Sequence, residues 1–156
     1  MMNRLRVNTI LVILLITILT GCDIWDMFYV KNNASYPIMI SAEFGYRQYP
    51  DTVRIPMQDA RLLKPSEKNY IQMSPGLRKT IFAALKTDVV SLYIFSPDTL
   101  EKYGFEKMQA DYNILARYDI TEELDKHFGG NFEYPPSQRM IDSGMKIYIN
   151  PNNPDL

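Results

Sequence analysis

The sequence is poor in the side chains that most often cross-link a fold or carry out chemistry. It has one cysteine, Cys22, and one histidine, His127, among 156 residues. A single cysteine excludes a disulfide within the chain. Zinc sites draw three or four ligands mainly from these two residue types, so the counts also exclude a zinc site of that kind. We therefore expect a fold stabilised by packing alone, with no metal and no cofactor.

The sequence also has few of the residues that nucleophilic catalysis requires. A serine nucleophile needs a base within reach, and His127 is the sole histidine. It lies at the end of a predicted helix, just before Gly129 and Gly130, where a cation interacts favourably with the helix dipole. We therefore predict that His127 is structural, that there is no catalytic residue and that the protein is not an enzyme. A hydrolase based on two carboxylates is a weaker alternative, because most globular chains supply candidate pairs.

The chain lacks a strong excess of charge of either sign. Its formal net charge is -1, with 46% hydrophobic and 22% charged residues, which is not a disordered composition. Without Arg4 and Arg6, 15 basic and 18 acidic residues remain. This balance leaves no excess of basic residues to bind nucleic acid, so we expect no nucleic-acid partner.

The longest hydrophobic run lies at the N-terminus. Arg4 and Arg6 precede an apolar run over residues 7–19. A membrane span needs about 20 apolar residues, whereas a signal peptide needs about 7 to 15. The run ends in Leu19-Thr20-Gly21-Cys22, which is similar to the lipobox of bacterial lipoprotein precursors. We predict a signal peptide over residues 1–21, cleavage before Cys22, and lipid on Cys22 that anchors the chain to a membrane.

Residues 22–156 are long enough for one domain, and no repeat or linker divides them. Most of the predicted elements are short strands bounded by turn signals. The strands are predicted over residues 27–31, 36–44, 53–56, 61–64, 69–73, 89–95, 113–120 and 145–150. The run 89–95 is apolar on both faces, which is typical of a central strand.

Two helices are predicted late in the chain, over residues 98–112 and 121–128. Asp98 and Glu101 have the spacing of a capping box at the start of the first, and residues 77–86 are a short helix or an irregular crossover. The whole pattern predicts a mainly β domain, an antiparallel β-sandwich of immunoglobulin-like type with one or two short helices. The alternative is an α+β domain with a single sheet.

Tyrosine is the compositional exception, with 11 residues, most of them at inward positions of the predicted strands. Tyr46, Tyr49 and Tyr134 instead lie in predicted turns. Exposed aromatic side chains stack on sugars or anchor protein interfaces, so these three are candidate ligand contacts. A non-enzymatic protein-binding or assembly role is the leading hypothesis, and glycan binding is the alternative.

Two threonines lie in a pattern that resembles the acceptor for O-glycosylation of exported Bacteroidetes proteins. They are Thr52, in Asp51-Thr52-Val53, and Thr99, in Asp98-Thr99-Leu100. Asp98 also suits a helix cap, which is the structural interpretation of the second motif.

Three stretches of the sequence together suggest a family. They are DVVSLYIFSPDTLE over residues 88–101, YNILARYDIT over residues 112–121 and YPP over residues 134–136. These stretches and the lipobox resemble small uncharacterised lipoproteins of Bacteroidetes. The resemblance implies export to the cell envelope and a lipid anchor at Cys22, with the outer membrane as the expected site. It implies no activity and no functional residue beyond the anchor.

Overall fold

The computed structural model describes residues 28–44, 60–71, 81–84, 87–104, 107 and 113–150. Eight strands and four short helices lie within these ranges. In chain order they are β1 (Phe28–Asn32), β2 (Ile38–Phe44), β3 (Arg61–Leu63), β4 (Lys68–Ile71), α1 (Ile81–Ala84), β5 (Val90–Phe95), α2 (Pro97–Tyr103), β6 (Ala116–Ile120), α3 (Glu122–Phe128), β7 (Asn131–Tyr134), α4 (Gln138–Asp142) and β8 (Lys146–Ile149). None of the helices in these ranges has the length and apolar character needed to cross a membrane.

The strands form two sheets, which confirms the mainly β prediction. One sheet has the order β4-β1-β7 and the other the order β3-β2-β5-β6-β8. The pairs are antiparallel except β1 with β7, which run parallel with Val30 opposite Phe132. The antiparallel prediction is wrong at this one pair. Parallel neighbours need a long crossover, and here most of the other strands lie between β1 and β7 along the chain.

One hydrophobic core joins the inner faces of both sheets. It takes Phe28, Val30, Ile71, Phe132 and Tyr134 from the smaller sheet, and Ile38, Ile40, Leu63, Val90, Leu92, Ile94, Ala116, Tyr118 and Ile120 from the larger. Two sheets around a shared core make a sandwich, so the single-sheet alternative is wrong. The described strands number three and five, whereas constant-type immunoglobulin sheets have four and three, so that strand order is not reproduced.

Side chains of the larger sheet follow the alternation of β-strands, with one exception just before β6. All six residues of β5 are buried, as expected of a central strand. In β6, Ala116, Tyr118 and Ile120 face the core. Continued alternation would place Ile114 on the same face, but it packs with Tyr93 and Phe95 in a second cluster. The reason is that Leu115 and Ala116 both contact the core, so the alternation is interrupted just before β6 begins.

Asn32 connects both sheets at one end of the sandwich. Its side chain, which is fully buried, donates to the carbonyls of Tyr36 (2.8 Å) and Leu63 (3.2 Å) and accepts from the Ala34 amide (2.9 Å). Its backbone amide donates to the Glu67 carbonyl at 2.8 Å. One residue therefore holds the β1–β2 turn against β3 and the β3–β4 connection.

The two predicted helices differ in how well their ends were anticipated. For α3, the Thr121 hydroxyl accepts from the Leu124 amide, and Gly129 ends the helix with a left-handed φ of 58°, so this helix is confirmed. For α2, the predicted capping box is wrong, because the helix begins at Pro97 with Ser96 as the N-cap residue. Proline already has the φ of a first helical residue, so Asp98 lies inside the first turn.

Candidate functional site

The predicted site residues include some that the structure describes and some that lie outside the described residues. Cys22, Tyr46, Tyr49 and Thr52 lie outside the described residues. Thr99 is half-buried within α2. Tyr134 was predicted to be an exposed turn residue, and this is wrong, because its side chain has no exposed surface.

Tyr134 belongs to a cluster of three tyrosines between the sheets, in which Tyr118 and Tyr134 are buried and Tyr36 is half-buried. Its hydroxyl lies 3.0 Å from that of Tyr36, and the nearby Tyr118 hydroxyl donates to the Glu133 carbonyl at 3.1 Å. Burial raises the pKa of Tyr118 well above its usual value, and Tyr134, Glu133 and Tyr36 raise it further. The cluster is therefore a hydrogen-bonded part of the core rather than a binding surface.

A second group of polar side chains lies on the outer face of the five-stranded sheet. The strand register places Ser41, Tyr93 and Arg117 in one row, and Ser91 and Asp119 in the next. We call these five residues the buried polar array, because each is at most 3% exposed.

The array is organised around an ion pair. The Arg117 side chain donates to both carboxylate oxygens of Asp119 at 2.8 Å, and the Ser91 hydroxyl donates to the same carboxylate at 2.9 Å. The guanidinium also lies 4.4 Å from the ring centroid of Tyr148. Buried charges persist in folded proteins when they are paired and hydrogen-bonded, as these are. The geometry is that of a structural network.

The outer face of the three-stranded sheet carries a different arrangement, a cleft of about 180 Å³ open to solvent. We call it the cationic cleft. Its polar walls are Lys31, Lys68, Asn131, Glu133, Ser137 and Arg139. Phe128 supplies its apolar floor, and Phe132 also lines it although the Phe132 side chain packs in the core. Three cations and one carboxylate give these walls a formal charge of +2, although the chain as a whole has a net charge of -1.

Three separate elements supply the cations of this cleft. Lys31 projects outward from β1 between the buried Val30 and Asn32, and Lys68 lies directly opposite it on β4. Arg139 comes from α4, where its guanidinium lies 5.0 Å from the Phe128 ring centroid and donates to the His127 carbonyl at 3.1 Å. Convergence of charge from distant parts of the chain is characteristic of a surface that meets an anionic group.

The sequence predictions missed this cleft because they treated the chain after Tyr134 as a loop and gave no strand before it. Two signals were present. Asn131-Phe132-Glu133-Tyr134 alternates polar and apolar residues, which is the pattern of a strand. Ser137 follows two prolines and precedes Met140, which is the pattern of a helix start.

Two further clefts are lined by residue types that also occur in catalytic sites. His127, Glu123 and Ser143 line one of about 420 Å³. However, the Ser143 hydroxyl donates to the Met140 carbonyl at 2.7 Å, and no hydrogen bond within the described residues joins it to His127. Asp88, Glu122 and Glu123 line another, of about 310 Å³.

Glu122 and Glu123 are exposed groups in the first turn of α3, and the exposed Asp88 lies just before β5. The Lys126 ammonium lies 2.6 Å from Glu122, and its hydrogen bond to that carboxylate raises the Lys126 pKa. Across the described ranges, no group of three His, Cys, Asp or Glu side chains is placed to hold a metal ion.

Comparison with known proteins gave no relative from which a function can be transferred. No protein-family model, no curated protein and no solved structure matches the chain. The cationic cleft is therefore interpreted from its own geometry.

Proposed function

We propose that this protein is a non-enzymatic, lipid-anchored lipoprotein of a bacterial outer membrane that binds a protein partner through its cationic cleft. The observation that supports binding is the cleft itself, where three cations surround an apolar floor on an otherwise acidic chain. The sequence supports the anchor, through the signal-peptide pattern that ends at Cys22.

A protein partner fits the cleft better than a glycan does. Sugar binding by tyrosine needs an open ring face for stacking. On this sheet the Lys68 ammonium already lies 4.8 Å from the ring centroid of Tyr29, and Tyr29 meets Tyr70 edge-on, with 6.2 Å between their centroids. Charged groups around a partly apolar cleft are instead typical of protein interfaces.

The anchor is tested by replacing Cys22 with serine in the full chain. The wild-type chain should incorporate labelled palmitate and fractionate with the outer membrane, whereas C22S should lose the label. Acylation of C22S, or an unlabelled wild-type protein, would contradict the anchor without bearing on the cleft.

The binding role is tested by photocrosslinking in cells. A photoreactive residue in place of Ser137, at the rim of the cleft, should give a discrete protein adduct that charge reversal at Lys31 and Arg139 abolishes. The control position is Lys102 on α2, a helix that packs through Leu100 against the outer side of the larger sheet. Equal adducts from both positions, or an adduct that persists after charge reversal, would contradict the proposed role.

A further inference from the structure

We infer that the cationic cleft recognises a single carboxylate side chain, presented by an acidic segment of the partner protein. This inference rests on the proposed function and adds the chemistry of recognition. Its first support is the strand register, which places the side chains of Lys31 and Lys68 directly opposite each other on the exposed face of the antiparallel β1–β4 pair. Like charges in such a pair repel one another, and an anion between them relieves that repulsion.

The ammonium groups of these two lysines differ in their contacts. The Lys68 ammonium donates to the Asn131 side-chain oxygen at 2.7 Å and lies over the Tyr29 ring. In contrast, no hydrogen bond or ion pair to any described residue involves the exposed Lys31 ammonium, although Glu133 is its neighbour on β7. Lys31 is therefore the cation with donors available for a ligand.

Arg139 supplies donors with directional geometry. A guanidinium has five N–H groups in a planar fork, and within the described residues Arg139 uses its Nη2 for one contact, with the His127 carbonyl. The guanidinium carbon also lies 5.0 Å from the centroid of the Phe128 ring, which keeps the fork beside the cleft. A carboxylate matches this arrangement because it accepts two parallel hydrogen bonds from a guanidinium.

The floor and size of the cleft favour an organic acid over an inorganic anion. The cleft, of about 180 Å³, is open to solvent and can admit a side chain. Phe128 is half-buried, so its ring supplies apolar surface in the cleft, which suits the methylene groups of glutamate or aspartate. Glu133 in the wall lowers the net positive charge of the cleft, which disfavours a multiply charged anion more than a single carboxylate.

The same features make an anionic membrane a poorer occupant. Lipid headgroups attract clusters of basic residues that face the membrane surface. Here Arg139 is held against an aromatic ring and Glu133 lies among the cations. A concave site with its own carboxylate suits a single side chain better than a negatively charged surface.

The test measures binding of dye-labelled hexaglutamate to the full chain in detergent by fluorescence anisotropy. The variant carries Lys31→Glu and Arg139→Glu, and the matched control carries Lys64→Glu and Lys102→Glu, which change the net charge equally at exposed positions. We expect the cleft variant to weaken binding by about tenfold or more, and the control by less than about twofold. Unlabelled acetate should compete, and inorganic phosphate should compete less well.

Several results would overturn the inference. Equal weakening by both charge reversals would show general electrostatic attraction, and an absence of saturable binding would show that the cleft takes no carboxylate. Anionic vesicles that displace the peptide more effectively than acetate would assign the cleft to lipid headgroups. Circular dichroism and thermal unfolding establish that both variants are folded.

The outcomes for the inference and for the proposed function are separable. If hexaglutamate fails to bind but the Ser137 crosslink in cells persists and depends on Lys31 and Arg139, the protein has a partner and the carboxylate chemistry is wrong. If hexaglutamate binds in the cleft but no crosslink forms in cells, the chemistry stands and the proposed partner does not.

Discussion

The outer faces of the two sheets both carry charged side chains, but these are buried on the larger sheet and exposed on the smaller one. On the five-stranded sheet, Arg117 is fully buried and paired with Asp119, which is 3% exposed. On the three-stranded sheet, Lys31 and Lys68 are exposed and directly opposed. Burial of a charge requires a partner, and exposure does not. The difference separates a network that stabilises the fold from a surface available to a ligand.

The largest expected effect comes from breaking the buried ion pair. Asp119→Asn removes the carboxylate that Arg117 contacts through two hydrogen bonds. Loss of one partner of a buried pair typically lowers the free energy of unfolding by about 3 to 5 kcal/mol, which urea unfolding would measure. The double replacement Arg117→Met with Asp119→Leu should recover much of the loss, because it removes both charges. A loss below about 1 kcal/mol for Asp119→Asn would place the pair in the class of exposed ion pairs.

A second comparison sets the stability effect of replacing Asn32, which points inward from β1, against that of replacing its outward-facing neighbour Lys31. Asn32→Ala leaves two carbonyls and one amide without their side-chain partner. We expect a loss of about 2 to 4 kcal/mol in the free energy of unfolding, since each unsatisfied buried group costs about 1 to 3 kcal/mol. Lys31→Ala should change it by less than about 0.5 kcal/mol, as is usual at exposed positions. Equal effects at the two positions would contradict the assignment of their faces.

The phenol cluster gives a smaller effect that depends on pH. Tyr118→Phe removes the hydrogen bond to the Glu133 carbonyl and should cost about 0.5 to 1.5 kcal/mol near neutral pH. Because the folded-state pKa of Tyr118 is raised, the wild-type contribution is fully present below about pH 10 and is lost as the pH rises through the folded pKa. The stability difference should therefore shrink in strongly alkaline solution, as urea unfolding at several pH values would measure. A difference that grows with pH would contradict this account.

The smallest stability effect, and the clearest separation of the two faces, is expected for Lys31→Glu. The charge reversal should leave the free energy of unfolding within about 0.5 kcal/mol of the wild type. Nevertheless, it should weaken hexaglutamate binding and reduce its salt dependence, because Lys31 is a cation of the cleft. Anisotropy at two salt concentrations would measure both effects. Unchanged binding with lowered stability would show that Lys31 belongs to the fold rather than to a site.

The mainly β sandwich was predictable because periodicity directly reports which side chains are buried. The alternation in residues 36–44 and the doubly apolar run 89–95 identified β2 and β5. The end of α3 followed from Gly129, whose left-handed conformation favours glycine. Such signals are local, and each depends on a few consecutive residues.

The cationic cleft was not predictable in the same way, because it depends on pairing between distant segments. Nothing local in β1 indicates that Lys31 faces Lys68 on one side and Glu133 on the other. Likewise, the polar residues of β6 look like a solvent-facing row, although Arg117 and Asp119 are buried. Tyr134 shows the same limit, since a tyrosine before two prolines suggests a turn and the structure buries it. Whether each of these side chains is buried depends on the strand register and on the segments that cover each face of the sheets.

The most direct measurement is an amide NMR titration of the isotopically labelled full chain with hexaglutamate. The account predicts saturable shifts concentrated at Lys31, Lys68, Asn131, Ser137 and Arg139, with Ser91, Arg117 and Asp119 unchanged. Shifts centred on the buried polar array, or spread evenly over exposed lysines, would contradict the assignment of binding to the three-stranded sheet.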